Sequence, residues 1–399
     1  MSTRIPPRPT AIELLERLVA FESVSSRSNL DLIDFVESYL ASFGVAARRS
    51  RDATGAKANL LASLGPAVPG GIILSGHTDV VPVEGQPWAS DPFTLRRADG
   101  RLYGRGTADM KAFLAVVLAL VPEALAAGLR LPLHLAMSYD EETGCFGVPG
   151  LIADLQNTVP APSLAIVGEP TEMRIVNAHK GCSVYRTTVT GLEAHSAYPD
   201  RAANAIAAAA RLVAFIESQA EERQRPENCD PRFDPPFTSF SVGIIEGGTA
   251  QNIVPRHCSF VWQCRALPSD DDAAFLATFE RFAEEQVLPG LRERAPEASI
   301  VTQTLARVPP LRPEANSPAE ALVGYLTGAN RSGTMAFGSE AGIFQAAGFP
   351  TVLCGPGSIL QAHQPDEFIE IAQIEACEAF LRDLIAWASQ ADSPAWRPG

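Results

Sequence analysis

The first hydrophobic positions recur with a helical period. Ile12, Leu14, Leu15, Leu18 and Val19 share one face, and Thr10 with Glu13 three residues later has the pattern of a capping box. Residues 30–40 form a second helical stretch, with Gly44 as its stop. The pattern then changes. Residues 72–74 are a short apolar run that breaks at Ser75-Gly76, which predicts a buried strand with His77 and Asp79 just beyond its C-terminal end. Three further segments repeat this arrangement. LPLHLAMSYDEETG ends in Asp140, Glu141 and Glu142, SLAIVGEPT ends at Gly168 and Glu169, and TVLCGPGS leads on to His363. Helical segments lie between them at residues 112–127, 148–156 and 340–347. Strands alternating with helices predict an α/β fold, a mixed central sheet flanked by helices. In such sheets ligands bind outside the carboxyl ends of the strands, where these acids and imidazoles fall.

The middle of the chain differs. Residues 182–191 alternate, with Val184, Arg186, Thr188 and Thr190 on one face. An Ala-rich helix over 202–222 follows, then a Pro-rich loop over 223–236, strands SFSVGII and CSFVWQCR, a helix over 271–285 and a strand over 299–305. The order β-α-β-β-α-β is the split βαβ of a ferredoxin-like α+β domain. Its expected span is 182–306, inserted into a larger domain made of 1–181 and 307–399, with Val308-Pro309-Pro310 marking the return. The closing SPAWRPG is expected to fray.

Composition narrows the function classes. The chain has 399 residues, 46% of them hydrophobic, enough for two packed cores. Charged residues at 20% argue against disorder. The net charge is −14, with no basic stripe, so no nucleic-acid partner is expected. The longest apolar window, 112–127, contains Pro122 and Glu123 and reads as a buried helix, so no membrane span is expected. The opening MSTRIPPRPT has no apolar stretch of the kind a secretory leader needs. The seven cysteines form no C-x-x-C pair and read as reduced thiols. A cytoplasmic location is the expectation.

The candidate chemistry lies in His77, Asp79, Asp109, Glu141, Glu142, Glu169 and His363. Two imidazoles with several carboxylates suit a borderline divalent cation, zinc above others. Two histidines are too few for a single three-imidazole site. They fit two metals, each with one His and one carboxylate and a carboxylate shared between them. In extended backbone His77 and Asp79 lie on the same side, so Asp79 can accept the second imidazole N–H. Adjacent Glu141 and Glu142 point in different directions, so one can bind metal while the other acts as a base. GRGTADMK places Asp109 just before an apolar helix. Taken singly, Asp109 reads as a loop cap and the two glutamates as a solvated turn. His134 reads as core and His257 as surface. Glu340, in GSEAG, is either an acid at a helix N-terminus or a partner for a cationic substrate side chain.

The motifs SGHTDVVP, YGRGTADMK, DEETG, VGEPT, GLEAHSAYP, GGTAQNIVP and AHQPDEF, in this order along almost the whole chain, resemble the M20 family of dinuclear zinc amidohydrolases and peptidases. The resemblance implies two Zn²⁺ per chain, with Co²⁺ as a substitute. His77 and Glu169 would hold one ion, Glu142 and His363 the other, and Asp109 would bridge them. It implies Glu141 as general base and Asp79 as the partner of His77. It implies that the inserted domain is a lid and dimerisation surface of a homodimer, from which His195 reaches the other subunit's site and stabilises the oxyanion. Asn252 and Arg265 match positions that contact substrate polar or carboxylate groups, and Lys180 stands where relatives carry a basic residue. One departure is Ala112, where helices of this type usually carry Gly after the Lys. The implied reaction is hydrolysis of a small N-acylated amino acid, N2-acetyl-L-ornithine first, within arginine synthesis. Succinyl-diaminopimelate, other acylated amino acids and dipeptides are the alternatives. A dicarboxylate substrate wants more than one cation, for which Arg265 and Lys180 are the candidates; an ornithine side chain wants an acid, for which Glu340 is the candidate.

Overall fold

The computed structural model describes residues 8–390. Most of MSTRIPPRPT and all of SPAWRPG, the segment expected to fray, lie outside the described residues. In chain order the strands are β1 (Ala47–Arg51), β2 (Ala58–Leu64), β3 (Ile72–His77), β4 (Arg96–Ala98), β5 (Arg101–Tyr103), β6 (Leu133–Ser138), β7 (Leu164–Pro170) and β8 (Val176–His179). Then come β9 (Cys182–Thr190), β10 (Ser239–Gly247), β11 (His257–Arg265), β12 (Ser299–Val308), β13 (Gly333–Met335), β14 (Thr351–Gly355) and β15 (Phe368–Glu370). The chain divides into two compact units. One is built from the residues up to Asn177, Pro313–Gly333 and the residues from Ser339 onward; the other from Ala178–Arg312 and Thr334–Gly338.

The first unit is organised on an eight-stranded mixed sheet in the order β1-β2-β6-β3-β7-β14-β8-β13. Four strands at its centre, β6, β3, β7 and β14, run parallel, so their carboxyl ends share one edge. Every residue of β3, β6, β7 and β14 is buried, the pattern of strands covered on both faces. The mid-strand His134 belongs to this packing, with Ser63 Oγ 2.8 Å from its Nδ1. Burial pushes the His134 imidazole down to about 4.

Helices cover both faces. The helix Ala11–Val19 starts in the expected capping box, with Glu13 N–H donating to Thr10 Oγ1 at 3.2 Å and Thr10 N–H donating to Glu13 Oε2 at 2.7 Å. The apolar stretch after Lys111 forms two helices, Ala112–Ala119 and Val121–Ala126, with the break at Leu120. Pro122 explains the break: it has no N–H to donate, and its ring opposes the carbonyl of Leu118. The first of these helices is apolar all round and buried, as a central core helix must be. Ala112 is itself fully buried there. Among the described residues no helix is long and apolar enough to cross a membrane. A small antiparallel sheet, β15-β5-β4, pairs Phe368 with Tyr103 and so brings the chain around Glu367 against the loop that follows Tyr103.

The second unit is a four-stranded antiparallel sheet in the order β10-β11-β9-β12, the ferredoxin-like arrangement. Two helices complete its core. Ala205–Arg223 begins at 205, not 202, because Asn204 caps it, its Oδ1 accepting from Ala207 N–H at 2.9 Å. Asp272–Phe282 runs on through a wider turn, Ala283–Val287, into Leu288–Arg292. Trp262 lies at the centre of this core, its ring 4.5 Å from Tyr185 and 4.8 Å from Phe279.

One close approach in the first unit bears directly on function. A Cβ on Gly168 would stand 2.1 Å from Cγ of Phe113, so the strand that carries Glu169 packs against the central helix only without a side chain there. Gly168→Ala is expected to lower stability by about 1–3 kcal/mol through overpacking. An unchanged thermal midpoint would show that Phe113 yields at no cost.

Candidate metal centre

The shared carboxyl edge gathers the titratable side chains. His77 is the last residue of β3, Glu141 and Glu142 follow the end of β6, and Glu169 is the penultimate residue of β7. His363 stands on the segment after β14, and Asp109 on the Gly-rich loop before Ala112–Ala119. The Asp109 carboxylate stands between the two imidazoles. Its Oδ1 is 3.0 Å from His77 Nε2, and its Oδ2 is 3.4 Å from His363 Nε2. His363 Nε2 is also 3.0 Å from Glu142 Oε2. Donor atoms of His77, Glu141 and Glu169 fall within 4.8 Å of one another, and so do those of His77, Asp109 and Glu142.

Asp79 departs from the expectation. His77 Nδ1 donates to the backbone carbonyl of Asp79 at 2.8 Å, while the Asp79 carboxylate is 3.7 Å away. Either acceptor fixes the same tautomer and leaves Nε2 for the site. The carboxylate is engaged elsewhere. It accepts from the backbone N–H of Glu141 at 3.1 Å, from that of Glu142 at 3.3 Å and from Ser25 Oγ at 2.6 Å. Asp79 therefore holds the two-glutamate turn in place. Asp140, at φ +56°, is anchored beside it by Lys57.

The electrostatics call for cations. Burial raises the Glu141 carboxyl well above the ordinary range; His77 opposes this, and the charges of Glu142, Asp109 and Asp79 add to it. Burial and then the charges of Asp109 and Glu141 raise Glu169. Burial and Asp109 bring Glu142 up to about 7, against its hydrogen bond with His363. Hydrogen bonds to Asp109 and Glu142 raise His363 to about 10. Burial works against charge on Asp109, yet bonds to His363 and His77 hold it below the usual carboxylate range. Divalent cations fit this donor set. Donors bound to one tetrahedral zinc ion at about 2.0–2.1 Å stand roughly 3.3 Å apart. The three imidazole–carboxylate separations are 3.0, 3.4 and 3.0 Å.

Two candidate substrate contacts are corrected. Glu340 is completely buried behind β3 and β6, where its carboxylate accepts from Ser75 Oγ at 2.5 Å and Ser138 Oγ at 2.7 Å. It precedes the short helix Ala341–Ala346, but it is sealed in the core and presents no acid to a substrate. Lys180, in the second unit, is also buried, and its ammonium donates to the carbonyls of Pro235 at 2.8 Å and Phe237 at 2.6 Å. A buried cation must be satisfied internally, and this one ties down the Pro-rich loop. Also in the second unit, Arg265 ends β11 and its guanidinium makes no hydrogen bond or ion pair among the described residues, and the Asn252 side chain is exposed. His195 is exposed, and its Nδ1 accepts from Ala197 N–H at 3.1 Å. That bond places the ring proton of the neutral imidazole on Nε2. Two residues inside the quoted motifs were passed over by sequence reasoning, Arg105 and Glu367. They form a fully buried ion pair at 2.7 Å. The available signal was charge in segments with little water to solvate it.

The sequence matches Peptidase family M20/M25/M40 over residues 73–387. It is 34% identical over 384 residues to an acetylornithine deacetylase of Proteus mirabilis (strain HI4320), covering 94% of this chain and 96% of that one. It is 36% identical over 385 residues to an acetylornithine deacetylase of Myxococcus xanthus, covering 95% and 97%. The fold is similar to that of an M20 family metallo-carboxypeptidase from Sulfolobus solfataricus, with a TM-score of 0.74, 16% identity and coverage of 96% and 99%. The chain belongs to this hydrolytic peptidase and amidohydrolase family, M20.

Metal uptake is expected to release protons. At pH 7 a metal-free His363 near 10 keeps its proton and a Glu142 near 7 keeps part of one, while coordination needs both donors free. Affinity for a divalent cation should therefore fall as pH is lowered. Calorimetry in buffers of different ionisation enthalpy measures this, and uptake without proton release would contradict it.

Proposed function

We propose that this protein hydrolyses the amide bond of a small N-acylated amino acid, N2-acetyl-L-ornithine first, releasing acetate and ornithine as a step of arginine synthesis in the cytoplasm. The observation that carries the reading is the Asp109 carboxylate, whose two oxygens face two different imidazoles. The near-full-length similarity to acetylornithine deacetylases supports the choice of substrate. His77 and Glu169 would hold one ion and His363 and Glu142 the other, with Asp109 shared. Zinc suits this mixed nitrogen and oxygen set, and cobalt is a workable substitute. Two such ions, when bound, acidify a shared water and polarise the acyl carbonyl.

The remaining work belongs to the side chains. Glu141 takes a proton from the attacking water and returns it to the leaving amine. Burial suits it to this, because it raises the carboxylate's affinity for a proton. Among the described residues its side chain has only the weak donor Cys145 Sγ, at 3.5 Å, as a hydrogen-bond partner. His195, with its proton on Nε2, donates to the tetrahedral oxyanion, and an oxyanion donor of this kind is worth on the order of 10²–10³ in rate. We assign this action to the site of the partner subunit in a homodimer formed through the second unit. Arg265, whose guanidinium has no partner among the described residues, would meet the substrate carboxylate, and Asn252 would supply a polar contact to the substrate.

The withdrawal of Lys180 into its own loop leaves Arg265 as the one remaining cation of the pair that a dicarboxylate would use. This favours a monocarboxylate over succinyl-diaminopimelate. Metal-reconstituted enzyme is expected to turn over acetylornithine ahead of succinyl-diaminopimelate and acetylmethionine; a preference for the second overturns the substrate assignment. Glu141→Gln is expected to keep two metal ions per chain and lose about 10²–10⁴ in kcat. Wild-type turnover in that variant would remove Glu141 as the base.

A further inference from the structure

The Arg105–Glu367 pair lies behind the site, and its hydrogen bonds reach two of the proposed ligands by separate routes. Both side chains are buried to 1% exposure. Glu367 Oε1 accepts from the backbone N–H of Ala108 at 2.8 Å and of Asp109 at 3.1 Å. Its Oε2 accepts from Gly106 N–H at 3.0 Å and from Arg105 Nη1 at 2.7 Å. One carboxylate thus fixes the backbone of the loop that presents Asp109. The other Nη of Arg105 donates to Gln86 Oε1 at 2.6 Å. Trp88 Nε1 donates to the same oxygen at 3.1 Å. Two donors on one oxygen settle which way the Gln86 amide faces, so its Nε2 is the atom that donates to the backbone carbonyl of His363 at 2.9 Å. His363 needs such a hold. Its φ is +63°, a conformation that side chains other than glycine's rarely adopt, and it stands on an exposed segment.

We infer that Arg105, Glu367 and Gln86 act as one positioning relay that sets the His363 imidazole against the Asp109 carboxylate, and that Gln86 is its branch to His363. The inference rests on the two-metal reading above. It goes beyond that reading by assigning to a residue that touches no ligand side chain the affinity of one metal position, the one shared by His363, Glu142 and Asp109. The His77 and Glu169 position has its own supports, the Asp79 carbonyl and the buried strand β7, and does not depend on Gln86.

Gln86→Glu isolates the branch. A carboxylate keeps an acceptor for Arg105 and Trp88 but has no N–H for the His363 carbonyl and sets an oxygen against it. The experiment is Co²⁺ titration of the metal-free protein, followed by equilibrium dialysis and by the visible absorption of the bound ion. The wild type is expected to take up two ions. The variant should fill one position with wild-type affinity and bind at the other 10–100-fold more weakly, roughly the effect of losing a group that orients a ligand. The altered absorption should be confined to that step, and the metal-free melting midpoint should stay at the wild-type value. Superimposable titrations would overturn the inference and leave the two-metal reading standing. Equal weakening of both steps with a lowered midpoint would also overturn it, as a general structural effect. A wild type that binds fewer than two ions would overturn the two-metal reading, and this inference with it.

Discussion

The site depends on holding like charges together where water cannot separate them. Asp109, Glu141, Glu142 and Glu169 converge with two imidazoles among them; burial works against charge on all four, and three of them end with raised proton affinity. Such a cluster does not assemble through its own attractions. It is imposed by a frame that is stable for other reasons: four parallel, wholly buried strands whose carboxyl ends coincide, packed on an apolar helix that follows the Asp109 loop. The hydrophobic burial of that frame outweighs the local repulsion. Cations then find their donors already oriented.

Each of the supporting polar groups restrains backbone at or beside a proposed ligand. Asp79 collects the two N–H groups of the glutamate turn, Glu367 collects three from the Asp109 loop, and Gln86 holds a carbonyl at His363. Side-chain to backbone bonds of this kind leave the metal-facing atoms free while fixing their origin. The second unit follows the same economy with its cations. Lys180 is committed to loop carbonyls, whereas the Arg265 guanidinium has no hydrogen bond or ion pair among the described residues, and His195 Nδ1 accepts from Ala197 N–H.

Much of this was legible along the chain because periodicity and strand exits are local properties. The capping box at Thr10, the buried runs that lead to His77 and Glu169, and the β-α-β-β-α-β order all follow from neighbours within a few residues. Other elements were silent. The edge strand Ala47–Arg51 reads ARRSR, with no apolar face to betray it, and it exists because β2 pairs with it. The helix expected to end near Glu285 runs on through a wider turn that no residue type announces.

The chain by itself determined which chemistry was available: two imidazoles and a set of acids at strand exits, in an order that marks the family. The fates of individual charged groups were decided only by tertiary neighbours. Glu340 was drawn into the core by two serines from adjacent strands, Lys180 was taken up by its own loop, and Arg105 found Glu367 across 262 positions of sequence. A buried charge takes whichever partner the fold brings within about 3 Å, and that distance is a property of packing, not of spacing along the chain.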